Sequence, residues 1–245
     1  MPNFKLDISY DGTNFFGWQI QKNNRTVQGD ISCALKKIFP KDVINLIGSG
    51  RTDSKVHANQ QIANMKIDTH LKPINVKNAI NSNIKRDIFI NSCEVVDEKF
   101  NARFSAISRE YYYVISTTFD PTERNYSWYI NDFEYDLSLL NKCAQYIIGQ
   151  HDFSTFCKQT SLKENNECLI TYSKWKTKKN KLYYGIRGNR FLHHMVRYLV
   201  GTMVEVSKGK LDFSSFKSLV ESKKITNSII KAPAQGLFLD KVKYE

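Results

Sequence analysis

The feature that most restricts how this chain can fold is that its hydrophobic pattern runs twice through one succession of elements. Phe4, Leu6, Ile8 and Tyr10 alternate with Lys5, Asp7 and Ser9, the period-two pattern of a strand with one buried face. After a polar loop, Val27, Ile31, Leu35 and Ile38 follow at helical spacing, and Pro40 ends that stripe. Strands are expected over 42–48 and 60–67, then a helix opened by Pro73, then a strand over 87–96. The first half therefore reads β-α-β-β-α-β. The second half repeats the order, with a strand over 110–116 and a helix from Asp136 to Ile148 that closes at Gly149. Strands over 168–176 and 181–187 flank a hairpin turn at Thr177-Lys178-Lys179-Asn180, and helices over 190–206 and 212–222 precede a final strand over 237–244. The expected fold class is α+β: two tandem ferredoxin-like units with a shared mixed or antiparallel sheet, divided into domains 1–104 and 105–245.

Composition supports a folded core and names a class of partner. Of 245 residues, 41% are hydrophobic and 13% aromatic, enough apolar surface to exclude a disordered tail. No apolar run reaches the roughly 18 residues of a membrane span, and Met1-Pro2-Asn3-Phe4-Lys5 lacks the build of a signal peptide, so a soluble cytoplasmic protein is expected. Lys and Arg number 36 against 24 Asp and Glu, a formal charge of +12. Residues 1–103 hold 15 basic and 10 acidic side chains, and the remainder 21 and 14, so both halves are basic. That distribution points to a phosphate-bearing ligand touching both halves. The cysteines, Cys33, Cys93, Cys143, Cys157 and Cys168, form no CxxC pair and read as core thiols of a reducing compartment.

Gly48-Ser49-Gly50-Arg51-Thr52-Asp53-Ser54-Lys55-Val56-His57 lies between two expected strands and is too polar for a core. Its glycine spacing does not fit a P-loop. A metal-dependent nucleotidyl transferase needs paired carboxylates, yet Asp53 is the only acid between Asp42 and Asp68. A single carboxylate suits nucleophilic or acid/base chemistry without metal.

These residues resemble the tRNA pseudouridine synthase A (TruA) family, whose loop pattern G-x-G-R-T-D-x-x-V-H is matched from Gly48 to His57. The resemblance continues through Tyr10-Asp11-Gly12, Phe16-Gly17-Trp18-Gln19, Val27-Gln28, Gln61, Phe100-Asn101-Ala102-Arg103-Phe104-Ser105 and Arg109-Glu110-Tyr111-Tyr112-Tyr113. It extends to His193-His194-Met195-Val196-Arg197, Ala232-Pro233 and Gly236-Leu237. It implies isomerisation of uridine to pseudouridine in the anticodon arm of tRNA, by a homodimer that needs no cofactor and no metal. It also implies two ferredoxin-like domains with the active cleft between them.

Under that resemblance Asp53 is the carboxylate that starts cleavage of the N1–C1′ glycosidic bond, either by adding to the sugar or by removing a sugar proton. Tyr111 stacks on the target base and assists at C5; Leu237 sandwiches the uracil from the other side. Arg51 helps extrude the nucleotide or holds a phosphate. Arg197 has support from the pattern itself: stripes of Leu192, Met195, Leu199, Met203 and Val206, and of Val196, Val200 and Val204, leave little of its helix solvated. A buried guanidinium must be paired, and the family places this arginine against the catalytic aspartate, lowering its pKa. Strand alternation sends Tyr111 and Tyr113 to one face and Tyr112 to the other. His193 and His194, adjacent on a helix, point about 100° apart and form no metal pair, and with His57 they read as structural or RNA-contacting. Asp11 and Gln19 brace the cleft or touch RNA.

Two places depart from the family pattern. Ser54-Lys55 stands where Ala-Gly is usual, and Asn83-Ile84-Lys85-Arg86-Asp87 lacks the usual Leu-Pro before Asp-Ile. Two readings of Lys55 are open: its ammonium reaches an RNA phosphate, or the loop requires φ > 0 and lysine is strained there. A non-catalytic RNA-binding module is the competing class, because RNA recognition motifs share the element order, but Lys181-Leu182-Tyr183-Tyr184-Gly185 lacks their signature. A paralogue acting on other uridines is the competing enzyme.

Overall fold

The computed structural model describes residues 1–222 and 229–245. Its elements, in chain order, are β1 (Asn3–Tyr10), α1 (Val27–Ile38), β2 (Ile47–Gly48), β3 (His57–Lys66), α2 (Pro73–Asn83), β4 (Ile88–Val96), β5 (Ser108–Ser116) and β6 (Trp128–Tyr129). There follow α3 (Leu137–Tyr146), β7 (Gly149–Asp152), β8 (Glu167–Lys178), β9 (Lys181–Gly188), α4 (Met195–Ser207), α5 (Phe213–Glu221) and β10 (Leu237–Lys243). Among the described residues no helix is long and apolar enough to cross a membrane. Two compact units emerge, residues 1–107 with 238–245, and residues 108–237.

In the first unit β1 lies between β3 and β4, antiparallel to both, with Leu6 opposite Ala63 on one side and Cys93 on the other. Phe4, Leu6, Ile8 and Tyr10 are buried, as their alternation requires. Val27, Ile31, Ala34 and Leu35 of α1 and Val76 and Ile80 of α2 supply the helical side of the core. The β4-β1-β3-β2 order is that of a ferredoxin-like unit. The strand expected over 42–48 shrinks to Ile47–Gly48, paired with Asn64 and Ala63. Residues 42–46 carry a strand-like pattern but no ladder partner, and Val43 is fully exposed.

β10 runs parallel to β3, with Phe238 opposite His57 and Leu239 opposite Ala58. Asn59 Nδ2 donates to Asp240 (2.9 Å) and the Tyr244 hydroxyl donates to the Ala102 carbonyl (2.7 Å). By its contacts the final strand therefore joins the first unit, which corrects a division of the chain at residue 104.

In the second unit the strand order is β5-β9-β8-β7, all antiparallel, with β6 parallel to the end of β5. Tyr113, Ile115, Leu182, Tyr184, Ile186 and Trp175 are buried, as are Leu140 and Cys143 of α3 and Leu199 and Met203 of α4. Asn141 of α3 clips the backbone of Trp175, donating to its carbonyl (3.2 Å) and accepting from its N–H (2.9 Å). The β8–β9 turn narrows to Lys179-Asn180, with Lys179 at φ 54°. Helix α4 starts at Met195 rather than at 190, because His194 takes φ 67° and breaks the helical run. The short edge strand β7 has no sequence signal, since Gly149 reads equally well as a helix terminator. Cys143, Cys157 and Cys168 are buried, Cys93 is half-buried and Cys33 is exposed, so the reading of all five as core thiols is corrected at Cys33. Burial pushes the thiols of Cys93, Cys143 and Cys168 up to about 12, which keeps them protonated.

One ion-pair cluster holds the polar loop after β1. Both terminal nitrogens of Arg25 reach the Asp87 carboxylate (2.6 and 2.8 Å), its Nε reaches Asp30 (2.9 Å), and its guanidinium lies 4.2 Å from the Phe15 ring centroid. These partners raise the guanidinium pKa further above its ordinary value, despite the opposing effect of burial. Arg25→Ala leaves Asp87 and Asp30 without their cation and should cost about 2 kcal/mol, lowering the melting temperature by roughly 4–8 °C. Arg25→Lys should recover only a fraction, because an ammonium cannot make the bidentate contact. Thermal unfolding of both variants checks this.

Candidate active site

The loop between β2 and β3 is held at nearly every residue. Ser49 N–H donates to the Ile62 carbonyl (2.7 Å), and the Ser49 hydroxyl donates to Gln61 Oε1 (2.6 Å). Gln61 Nε2 donates in turn to the Gly50 carbonyl (3.0 Å). Thr52 is buried, its hydroxyl 2.8 Å from that of Tyr10 and its carbonyl accepting from Trp18 N–H (3.1 Å). The turn closes with Val56 N–H donating to the Asp53 carbonyl (3.2 Å). Asp53 is half-buried at its centre, while Arg51 and Lys55 are exposed on either side.

Glycines explain why the loop can sit so close to the chain after β1. A Cβ on Gly12 would lie 2.0 Å from the Val56 carbonyl oxygen. At Gly17, whose φ is 90°, it would lie 2.6 Å from the Thr52 oxygen. Only a hydrogen fits at either place. The Tyr10-Asp11-Gly12 and Phe16-Gly17-Trp18 segments thus form the bed of the Asp53 loop. His57 is buried and stacked on Phe238 at 4.6 Å between centroids, in accord with a structural histidine. Its Nδ1 lies 3.0 Å from Gly12 N–H and 3.1 Å from Asp11 Oδ1. Accepting from Gly12 makes Nδ1 the unprotonated nitrogen. Asp11 Oδ1 accepts from the N–H and hydroxyl of Thr13 (2.9 and 2.6 Å), so Asp11 braces this loop.

Lys55 adopts φ 66°, the left-handed conformation that the second of its two readings requires. The adjoining departure offsets part of that strain. The Ser54 hydroxyl donates to the Phe15 carbonyl (3.1 Å), beside the bond from Lys55 N–H to the same oxygen (3.1 Å). An alanine at 54 has no such donor.

In the second unit Arg197 and Tyr113 clasp the Ala232-Pro233 segment. Arg197 Nε donates to the Ala232 carbonyl (2.8 Å), while Ala232 N–H donates to the Arg197 carbonyl (3.0 Å). The Tyr113 hydroxyl donates to the Pro233 carbonyl (2.7 Å). Burial pushes that hydroxyl well above its ordinary pKa, against the opposing charge of Arg197. Gly201 and Gly236 allow this close passage: a Cβ would fall 2.1 Å from the Ile230 oxygen and 2.6 Å from the Tyr113 ring, respectively. Arg197 is half-buried rather than enclosed, and its Nε bond to Ala232 orients the guanidinium plane. Tyr111 meets Phe191 edge to face at 5.2 Å, a partner the sequence pattern does not single out. Leu237 is buried at the start of β10.

His193 and His194 precede α4 instead of lying on it. Their rings adjoin at 4.1 Å between centroids, so the 100° separation expected on a helix does not hold. His193 Nδ1 lies 2.8 Å from the Ser161 hydroxyl.

Replacing Lys55 by glycine should relieve the positive φ and raise stability by about 0.5–1 kcal/mol, the conformational gain less the added freedom of the unfolded chain. Thermal unfolding measures this. If the same variant also lowers the log–log salt slope of RNA binding by about one unit, the ammonium reaches a phosphate as well.

Comparison with known proteins fits these observations. A family model described as tRNA pseudouridine synthase matches residues 8–105 and 143–245, which include the Asp53 loop, Arg197 and Leu237. The tRNA pseudouridine synthase A of Brachyspira hyodysenteriae is 41% identical over 97% of this chain and 96% of its own length. That of Thermosipho melanesiensis is 40% identical over 99% of both. A tRNA pseudouridine synthase A 2 of Clostridium perfringens is 35% identical over the whole of both chains. With its Asp53 loop seated on paired glycines and its length matched end to end, this chain belongs to the tRNA pseudouridine synthase family.

Proposed function

We propose that the chain converts uridine to pseudouridine in the anticodon stem-loop of tRNA, with Asp53 as its catalytic carboxylate. The observation that carries this reading is the Asp53 loop itself: one carboxylate, half exposed, on a backbone anchored on both flanks. Such anchoring holds a reacting group in one geometry without a cost of ordering it at each turnover. The isomerisation neither gains nor loses atoms. The N1–C1′ bond breaks, the uracil turns, C5 bonds to C1′, and the C5 proton is carried to N1 through the site or solvent. Asp53 starts the cleavage, whether by adding to the sugar or by taking a sugar proton, and no cofactor or metal enters this scheme.

Arg197 is proposed to face Asp53 and hold its carboxylate in place, a role suited to a guanidinium whose plane is set by the Ala232 carbonyl. Tyr111 is proposed to stack on the base and assist proton removal at C5, with Phe191 buttressing its ring. Leu237 covers the other face of the uracil, and Arg51 and Lys55, both exposed beside Asp53, meet the flanking phosphates. A homodimer in the cytoplasm completes the reading, as the family resemblance implies.

Cells lacking this protein should lose pseudouridine from the anticodon stem-loop, and the wild-type gene should restore it. Asp53→Asn should not, although the purified variant binds tRNA about as tightly as wild type, since the amide is isosteric but neither a nucleophile nor a base. Loss of pseudouridine only at other positions, or turnover by the variant, overturns the assignment. The tyrosines give a separate check. Tyr111→Phe keeps the ring but should slow single turnover by about 10²-fold or more, whereas Tyr112→Phe, on the opposite face of β5, should stay near wild type.

A further inference from the structure

The sheet of the second unit has a second charged surface that the isomerisation does not use. Alternation along β8 and β9 sends Ser173, Trp175, Leu182, Tyr184 and Ile186 to the buried face that carries α3 and α4. The other face bears Lys174, Lys176 and Lys178, all exposed, with Tyr172 and Tyr183 between them and Arg187 beside them. The ladder fixes these neighbours, since Tyr172 faces Arg187, Lys174 faces Gly185 and Lys176 faces Tyr183 across β8 and β9. Gly185 leaves room for an aromatic surface: a Cβ there would lie 3.0 Å from the Tyr172 ring, which leans over the strand. Arg187 lies 5.8 Å from that ring and pairs with Glu110 at 2.7 Å.

Three features favour RNA as the occupant. The lysines recur every second residue, roughly 7 Å apart along an extended strand, a step comparable to that between successive backbone phosphates. Tyrosine rings on a sheet interleaved with cations offer stacking together with charge, the combination that suits nucleic acid. Of the two carboxylates on this side of the strands, Glu110 is held by Arg187, and Glu167, at the far end of β8, accepts from Gln150 Nε2 (2.9 Å), so neither lies beside the three lysines. A two-fold contact with a second copy through this face would set lysines against lysines, which costs energy, whereas a polyanion gains from the same array.

We propose that this open face of β8 and β9 is a second RNA-contact surface, which holds the backbone of tRNA outside the anticodon stem-loop. Tyr111 and Tyr113 project from the opposite face of β5, so RNA on the Lys174 face is distinct from the nucleotide undergoing reaction. The inference rests on tRNA as the substrate, and binding of full-length tRNA by the wild-type protein tests that premise separately.

The experiment combines Lys174→Ala, Lys176→Ala and Lys178→Ala in the full chain and measures binding of full-length tRNA and of the isolated anticodon stem-loop from low to physiological salt. The triple variant should bind full-length tRNA about tenfold or more weakly, with a log–log salt slope smaller by two to three units. Affinity for the stem-loop and the single-turnover rate at saturating stem-loop should stay unchanged, and the corresponding triple Lys→Arg variant should bind like wild type. Unaltered affinity for full-length tRNA overturns the proposal. Equal weakening toward the stem-loop overturns it too, by assigning the lysines to the reacting arm, as does a change of oligomeric state in light scattering, which assigns the face to self-association. A melting temperature close to wild type in the alanine variant shows that the readout is binding and not folding.

Discussion

The seating of the Asp53 loop on the backbone after β1 is the constraint from which the first unit takes its form. Val56 and Thr52 present carbonyl oxygens to Gly12 and Gly17 at distances no side chain tolerates. The loop is then tied through Trp18, Phe15, Tyr10 and Gln61, so that Asp53 inherits its position from β1 and β3 rather than from its own turn. The Arg25 cluster secures the other side of this arrangement, joining the bed of the loop to the start of β4. The proposed role of Asp53 needs a rigid frame, and here that frame combines backbone bonds to Ile62, Trp18 and Phe15 with side-chain bonds from Tyr10 and Gln61.

The second unit solves a similar problem with side chains. Arg197 and Tyr113 each spend a polar group on the carbonyls of Ala232 and Pro233, and glycines at 201 and 236 let that segment pass. The buried Tyr113 hydroxyl stays protonated and so remains a donor. Tyr113 is therefore a positioning residue whose neighbour two positions away, Tyr111, is turned toward Phe191. The same alternation that buries Tyr113 leaves the lysines and tyrosines of β8 and β9 to face outward on the other side of the sheet.

Lys55 shows the two kinds of demand on one loop. The backbone at that position is left-handed whatever residue occupies it, because the flanking hydrogen bonds from Lys55 N–H and Val56 N–H dictate its path. A lysine there carries a conformational cost of order 1 kcal/mol. The Ser54 hydroxyl returns part of it by bonding to Phe15, so the two residues of this one departure, Ser54 and Lys55, act together.

Period-two and helical spacing sufficed to place β1, α1, β4, β5, β8, β9 and α5 to within a few residues, because burial of one face imposes its own rhythm on a chain. The polar loop with a lone carboxylate was legible for the opposite reason: ten residues rich in glycine and charge have no place in a core. What periodicity cannot register is where a strand finds its partner. Residues 42–46 have the rhythm of a strand and no ladder, while β10 closes on β3 from the far end of the sequence. Nor does spacing reveal a single residue of positive φ, as at His194, where one dihedral angle moves the start of α4 past both histidines. Spacing and residue chemistry alone were enough for the succession of the long elements, though not the short strands β6 and β7, and for the character of the Asp53 loop and the family. Tertiary structure alone decided which backbones approach closely enough to need glycine, and which carbonyls Arg197 and Tyr113 hold, because those contacts join residues far apart along the chain.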